Sequence, residues 1–213
     1  MDRRKRNETA LAICLIGLAG YVDALGFISL RDLFISFMSG NSTEFVVRAT
    51  QGSSGEAARP AALIGVFVLG AMAGSTIGRL AGRKRPPAVL AAVALTLAAA
   101  ALTHLAGPDF AAALVMALAM GMLNGVFEGK GGISAVTYVT GTLVKLGQQL
   151  VAAAFGGPRD GFVEPLLLWL GLITGGAFGA AAWAGLRLNG LWIAVAAATA
   201  LAIAANALEA TEG

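Results

Sequence analysis

The sequence predicts an all-α membrane protein: six transmembrane helices plus two re-entrant strand/half-helix segments, arranged as two inverted repeats of three spans each. Three observations carry that expectation. Only 13% of the 213 residues are charged while 57% are hydrophobic, and the mean hydropathy is +0.78. The chain matches itself at an offset of 101 positions. Its Lys and Arg residues fall in short clusters beside apolar runs.

A soluble domain carries about 25% charged residues, and the shortage here is uneven. Pro86 to Gly107 and Leu188 to Leu208 contain no ionisable group except His104. A bilayer span needs about 20 mainly apolar residues, and several segments reach that length. A soluble core of this size cannot hide so many helices that are apolar all round. The net charge of +3 and pI near 9.4 would raise nucleic-acid binding for a soluble protein. Basic clusters flanking apolar spans are instead what the positive-inside rule produces, so the expected partner is the lipid bilayer and no nucleic acid. The one cysteine, Cys14, cannot form an intramolecular disulfide, and His104 cannot make a metal site alone. The chain offers no nucleophile–base pair, and Gly129-Lys130-Gly131-Gly132 lacks phosphate-loop spacing. No enzyme activity, metal or cofactor is expected.

Arg3-Arg4-Lys5-Arg6 ahead of an apolar run, with Gly17-Leu18-Ala19 further on, has the outline of a signal peptide. The apolar run continues to Ile28, long enough for a span, and the segment has a counterpart later in the chain. It is therefore read as the first span.

At the offset of 101, Gly20 falls on Gly121, Asp23 on Asn124, Ser39 on Thr140 and Gly40 on Gly141. Gly70, Gly74 and Gly78 fall on Gly171, Gly175 and Gly179, with no gap between Gly20 and Ala81. The first repeat, 1–107, then holds spans at about 9–29, 60–81 and 86–106 and a re-entrant segment at about 31–50. The second, 108–213, holds spans at about 109–128, 163–184 and 188–208 and a re-entrant segment at about 132–153. Each re-entrant segment reads as an extended leg rich in β-formers, a glycine hinge and a short helix. Leu33 to Met38 precedes Ser39-Gly40-Asn41-Ser42, and Ala135 to Val139 precedes Thr140-Gly141-Thr142. Asn41 as N-cap with Glu44 three residues on has the form of a capping box.

Charge placement favours re-entry over crossing. If the two segments return to the side they left, with the N-terminus inside, eleven Lys and Arg lie inside and four outside. If they cross, the distribution is eight and seven. Three spans per half, an odd number, invert the second half relative to the first. Both termini are then cytoplasmic.

Irregular backbone at membrane depth is tolerated where it is buried in protein or lines a wet cavity. Paired half-helices near the midplane expose unpaired N–H groups that suit an anion or the polar end of a solute. Ser39, Gly40, Asn41, Thr140, Gly141 and Thr142 are therefore substrate-binding candidates, with capping and packing as the structural reading of the same residues. Asp23, inside span one, joins them because a charge at that depth costs several kcal/mol and is usually functional; its neutral counterpart Asn124 makes the halves unequal. Glu44 and Lys145 are equivalent under the offset. They read either as an ion pair across a pseudo-twofold axis or as a capping glutamate and a snorkelling lysine. Gly70, Gly74, Gly78, Gly171, Gly175 and Gly179 form small-xxx-small stripes for close helix packing, within the bundle or in a homodimer.

Gly20-Tyr21-Val22-Asp23-Ala24, Phe37-Met38-Ser39-Gly40-Asn41 and Tyr138-Val139-Thr140-Gly141-Thr142-Leu143 together resemble the YoaK-like family of bacterial multi-pass membrane proteins. The resemblance covers most of the chain. Ser39 stands where a threonine is common in that family, and Glu128-Gly129-Lys130 is less typical. The resemblance implies a bacterial inner-membrane location and supplies no substrate. The expected function is a small-solute transporter or channel with an anionic or polar substrate or ion. The alternative is a non-transporting membrane scaffold or complex subunit.

Overall fold

A computed structural model of the chain describes residues 3–52, 54–107, 109–128, 136–158 and 160–212. All regular structure among them is helical. α1 covers Arg3–Leu30, α2 Met38–Thr50, α3 Ser54–Ala81 and α4 Arg85–Ala106. α5 covers Asp109–Leu123 and runs on into a 3-10 turn at Asn124–Val126. α6 covers Val139–Ala154, α7 Val163–Leu186 and α8 Leu191–Glu212. Four helical stretches are long and apolar enough to cross a membrane: Arg6–Leu30, Gly55–Ala106, Asp109–Val126 and Val163–Ala210. The second and fourth, of 52 and 48 residues, are interrupted by 3-10 turns at Gly82–Lys84 and Arg187–Gly190.

Side-chain contacts fix the direction of each long helix. The Asp109 carboxylate at the start of α5 meets Ser29 near the end of α1 at 3.4 Å and His104 near the end of α4 at 2.8 Å. Arg59, near the start of α3, lies over the Phe110 ring at 4.7 Å. At the opposite end, Glu128 takes Arg79 from the end of α3 and Arg85 from the start of α4. Thus α1 and α4 run towards the Asp109 end of the bundle, and α3 and α5 run towards the Glu128 end. α7 lies parallel to α1, since Gly171 packs on Ile13, Gly175 on Gly17 and Gly179 on Tyr21. Tyr21 also donates to the Gly190 carbonyl at 2.9 Å, so α8 starts beside α7's last turns and heads back.

The connections follow from these directions. The segment between α1 and α3, which contains α2, leaves and rejoins the bundle at the Asp109 end. α5 ends and α7 begins at the Glu128 end, with α6 between them in sequence. α2 has 13 residues and α6 has 16, about 20–24 Å at 1.5 Å per residue, short of a hydrocarbon core of about 30 Å.

Helix-to-helix approach depends on glycine. A Cβ added to Gly74 would strike Met122, and one on Gly70 would strike Leu118. Gly175 has the same relation to Gly17, and Gly20 to Leu172. α3 thereby packs backbone to backbone on α5, and α7 on α1. Gly78 is different, because its missing side chain makes room for Arg85. The outer faces carry large apolar side chains, with Leu80 85% and Phe178 71% exposed, as helices bathed in hydrocarbon do.

One expectation is corrected. The leg before α2 is not a strand, and no strand occurs among the described residues. A strand needs a neighbouring ladder for its N–H and C=O groups, and here the leg's backbone bonds instead to the side chains of Asp23 and Asn41. Residues 129–135, including Lys130 and Ala135 of the second leg, lie outside the described residues, as do Arg159 and the side chains of Arg3, Arg4 and Lys5.

Candidate functional site

Arg31 and Asp32 turn the chain at the end of α1 with φ of 52° and 78°. The leg then runs back along α1. Asp23 lies seven residues before the end of α1, roughly 10 Å below it. Its Oδ1 accepts the Ile35 N–H at 2.7 Å and the Ser36 N–H at 2.9 Å, and the Ser36 side chain adds a further hydrogen bond. The Ile35 side chain occupies the space left by the missing Cβ of Gly26. The Phe34 ring packs at a tilt against Phe27 at 4.8 Å and edge-on to Phe37 at 5.2 Å.

Asn41 closes this clasp from the α2 side. It is fully buried. Its Oδ1 accepts the Phe34 N–H at 2.9 Å, and its Nδ2 donates to the Phe34 carbonyl at 2.7 Å. The capping box is therefore not formed. α2 begins at Met38, the residue before it is Phe37, and no side chain caps it. Asn41 sits within the first turns of the helix, and its amide satisfies a peptide group that water cannot reach there. The short helix thus starts ahead of the Ser39–Ser42 hinge rather than after it.

Positions 101 apart repeat much of this geometry. Asn124 Oδ1 accepts the Thr137 N–H at 3.1 Å and its hydroxyl at 3.2 Å, while Nδ2 donates to the Met120 carbonyl at 3.0 Å. Thr137 is the counterpart of Ser36. Met38 N–H donates to the Ser36 carbonyl at 3.2 Å, and Val139 N–H to the Thr137 carbonyl at 3.1 Å. Phe37 has φ −90° and ψ 75°, and Tyr138 has φ −86° and ψ 63°. Gly40 lies against the Phe34 and Phe37 rings and Gly141 against Tyr138, so a Cβ at either would strike an aromatic ring.

Ser39, Gly40 and Asn41 therefore all fall in the first turns of α2, and Thr140, Gly141 and Thr142 in those of α6. Ser39 and Thr140 are exposed, and their hydroxyls make no hydrogen bond among the described residues. α2 packs on α3 and α6 on α7, but α2 and α6 do not touch. The two hinges are not brought into contact. The Glu44–Lys145 pair is corrected on the same ground: Glu44 bonds Arg48 one turn along α2 at 2.8 Å, and Lys145 is exposed on α6.

A second polar cluster had no sequence motif to announce it. Glu128 Oε1 meets Arg79 Nη2 at 2.9 Å and Oε2 meets Arg85 Nη1 at 3.2 Å. Arg85 also donates to the Gly125 carbonyl at 3.1 Å. A hydrogen bond from Ser75, then the two guanidinium groups, hold the Glu128 carboxyl below the usual glutamate range. In the sequence Arg79 and Arg85 belong to one of the basic clusters that flank apolar runs. Their spacing around a tight α3–α4 turn was the one available signal for a shared carboxylate.

Apolar helices packed through glycine, with polar side chains spent on irregular legs inside the bundle, define a helical transmembrane protein. The model of the family described as "Protein of unknown function (DUF1275)" matches residues 11–204, and the chain belongs to that family; the YoaK-like resemblance falls within it. The chain is also similar to the "UPF0700 transmembrane protein RA0705" of Rhizobium meliloti (strain 1021), 36% identical over 206 residues that cover 95% of this chain and 89% of the relative. No solved structure matches it.

Proposed function

We propose that the protein is a small-solute transporter or channel of the bacterial inner membrane. In this reading α1, α3, α4, α5, α7 and α8 are six spans, the halves 1–107 and 108–213 are inverted repeats, and the α2 and α6 segments re-enter from opposite faces. The carrying observation is that the α2 segment joins two helix ends at the Asp109 end while the α6 segment joins two at the Glu128 end. Each short helix starts on the flank of a long one, α2 against α3 and α6 against α7, with Ser39 and Thr140 exposed in its first turn. Helix N-termini at depth favour an anion or the polar end of a solute, and the free Ser39 and Thr140 hydroxyls are the groups left to meet it. In this reading both termini are cytoplasmic, which the positive-inside distribution supports.

A non-transporting scaffold is the second reading, and one observation favours it. Asp23, Asn41 and Asn124 spend their polar atoms on backbone, and a solute cannot take them without releasing a leg. The test is a thermal-shift screen of purified protein against small anions, amino acids, nucleobases and sugars, repeated on Ser39→Val and Thr140→Val. A dose-dependent stabilisation lost in either variant, followed by flux of that solute into proteoliposomes, supports transport. No stabilisation by any solute and no flux, with both variants melting like wild type, supports the scaffold.

A further inference from the structure

The two halves differ in one respect that the offset does not lead one to expect. α3 touches α4, but α7 does not touch α8. The gap leaves an apolar groove of about 810 Å³ whose floor is α1 and whose walls are α7 and α8. Cys14 and Gly17 lie on the floor, Gly175 and Phe178 on one wall, and Ala194 and Ala197 on the other. Its polar groups are already used: Tyr21 donates to the Gly190 carbonyl, and the Thr174 hydroxyl donates back to Leu170 at 2.8 Å. A site without polar partners does not hold water, so the occupant is hydrocarbon.

Dimension and charge narrow the occupant. On α7 the groove runs from Gly171 to Ala182, roughly 17 Å at 1.5 Å per residue, which is close to one leaflet of a hydrocarbon core about 30 Å thick. The turn Arg187–Gly190 joins α7 to α8 beyond Ala182 and Ile193, the lining residues at that end of the groove. Arg187 stands in that turn, exposed, with its guanidinium 5.4 Å from the Trp183 ring and no acidic partner among the described residues. Its backbone is held at φ 52°. A second copy seated on this face about an axis normal to the membrane would set Arg187 near Arg187, with no carboxylate in the groove to offset the repulsion. A phosphate there meets a cation instead.

We propose that the α1/α7/α8 groove is a phospholipid site, with acyl chain along α1 and the phosphate on Arg187. This does not depend on whether the protein transports anything. Cys14, the only cysteine, is exposed in the groove and reports occupancy. The experiment measures N-ethylmaleimide alkylation of Cys14 by intact-protein mass spectrometry, in lipid-stripped detergent-purified protein titrated with phosphatidylglycerol or with the matching diacylglycerol. The expected result is slowing of at least about tenfold that saturates near one phosphatidylglycerol per chain. Half-protection should need about tenfold more lipid in Arg187→Gln, the loss of a charge-assisted contact, while Arg187→Lys stays near wild type. Unsaturable protection, equal protection by diacylglycerol, or titrations unchanged in Arg187→Gln would overturn the proposal. A lipid-free dimer in which Cys14 is already shielded would overturn it in favour of a second copy. Melting curves of each variant show that the fold is retained.

Discussion

Asn41 holds Phe34 by both of its backbone polar groups, at 2.9 Å and 2.7 Å, from a position with no solvent exposure. A side chain seven residues further along replaces the ladder partner that an extended leg lacks. Removing it leaves a donor and an acceptor unpaired, at about 1–3 kcal/mol each. Asn41→Leu should therefore lose about 2–6 kcal/mol of stability, read as a fall in melting temperature in detergent. Ser39→Ala, two residues away and exposed, should change it by less than about 0.5 kcal/mol.

Asp23 and Asn124 do the same work with different chemistry, and the comparison makes a prediction. Asn124 takes the Thr137 N–H with an amide oxygen. An amide at position 23 can likewise accept from Ile35 and Ser36, so Asp23→Asn should keep the fold with a loss of about 1–2 kcal/mol, the charge-assisted part of the bonds. Asp23→Leu should destabilise at least twice as much, because both N–H groups lose their acceptor. Thermal unfolding of the two variants side by side checks this. Equal behaviour would mean that the carboxylate does not position the leg.

The glycines divide by what surrounds them. Gly175→Ala puts a methyl on the Gly17 carbonyl and Gly74→Ala puts one on Met122. Each should cost about 1–3 kcal/mol as α7 or α3 is pushed off its neighbour. Gly147 has open space around it within α6, and Gly147→Ala should stabilise by about 0.5–1 kcal/mol through helix propensity. Opposite signs in one set of melting curves are the expected outcome.

The Glu128 cluster sets a pH dependence. Its carboxyl is held below the ordinary value of 4.5 by Ser75, Arg79 and Arg85. A depressed carboxylate contributes stability above the unfolded pKa and loses it as pH falls through the folded value. Wild type should therefore lose melting temperature relative to Glu128→Gln as pH drops from 6 to below about 4, and the difference should be constant above about 6. Parallel curves across the whole range would remove the cluster from the account.

Much of the helix plan was legible because apolar length is a local signal. The apolar run at 86–106 is helical as α4, Arg85–Ala106, and that at 163–184 as α7, Val163–Leu186. The hinge region was less legible. Asn41 followed by Glu44 matches a capping box in every local respect, but a leg with no ladder offers Asn41 a buried peptide, and Glu44 finds Arg48 one turn on. Glu128 meets arginines 49 and 43 positions away, a distance at which no sequence pattern operates. The groove beside α1 was hidden for a related reason: the offset matches the glycines of α3 and α7 but does not say whether each touches the helix that follows it.

In the proposed architecture the α2 and α6 segments each return to the side they leave, on opposite faces. Side-specific labelling tests it most directly. In a Cys14→Ala background, Gln51→Cys reports the side after α2 and Asp160→Cys the side after α6; both positions are exposed. Each is treated in intact cells and in inverted vesicles with a membrane-impermeant maleimide. Position 51 should label only from outside and position 160 only from the cytoplasmic side. Labelling of both from the cytoplasmic side would mean that the segments cross, and would contradict the re-entrant, inverted architecture.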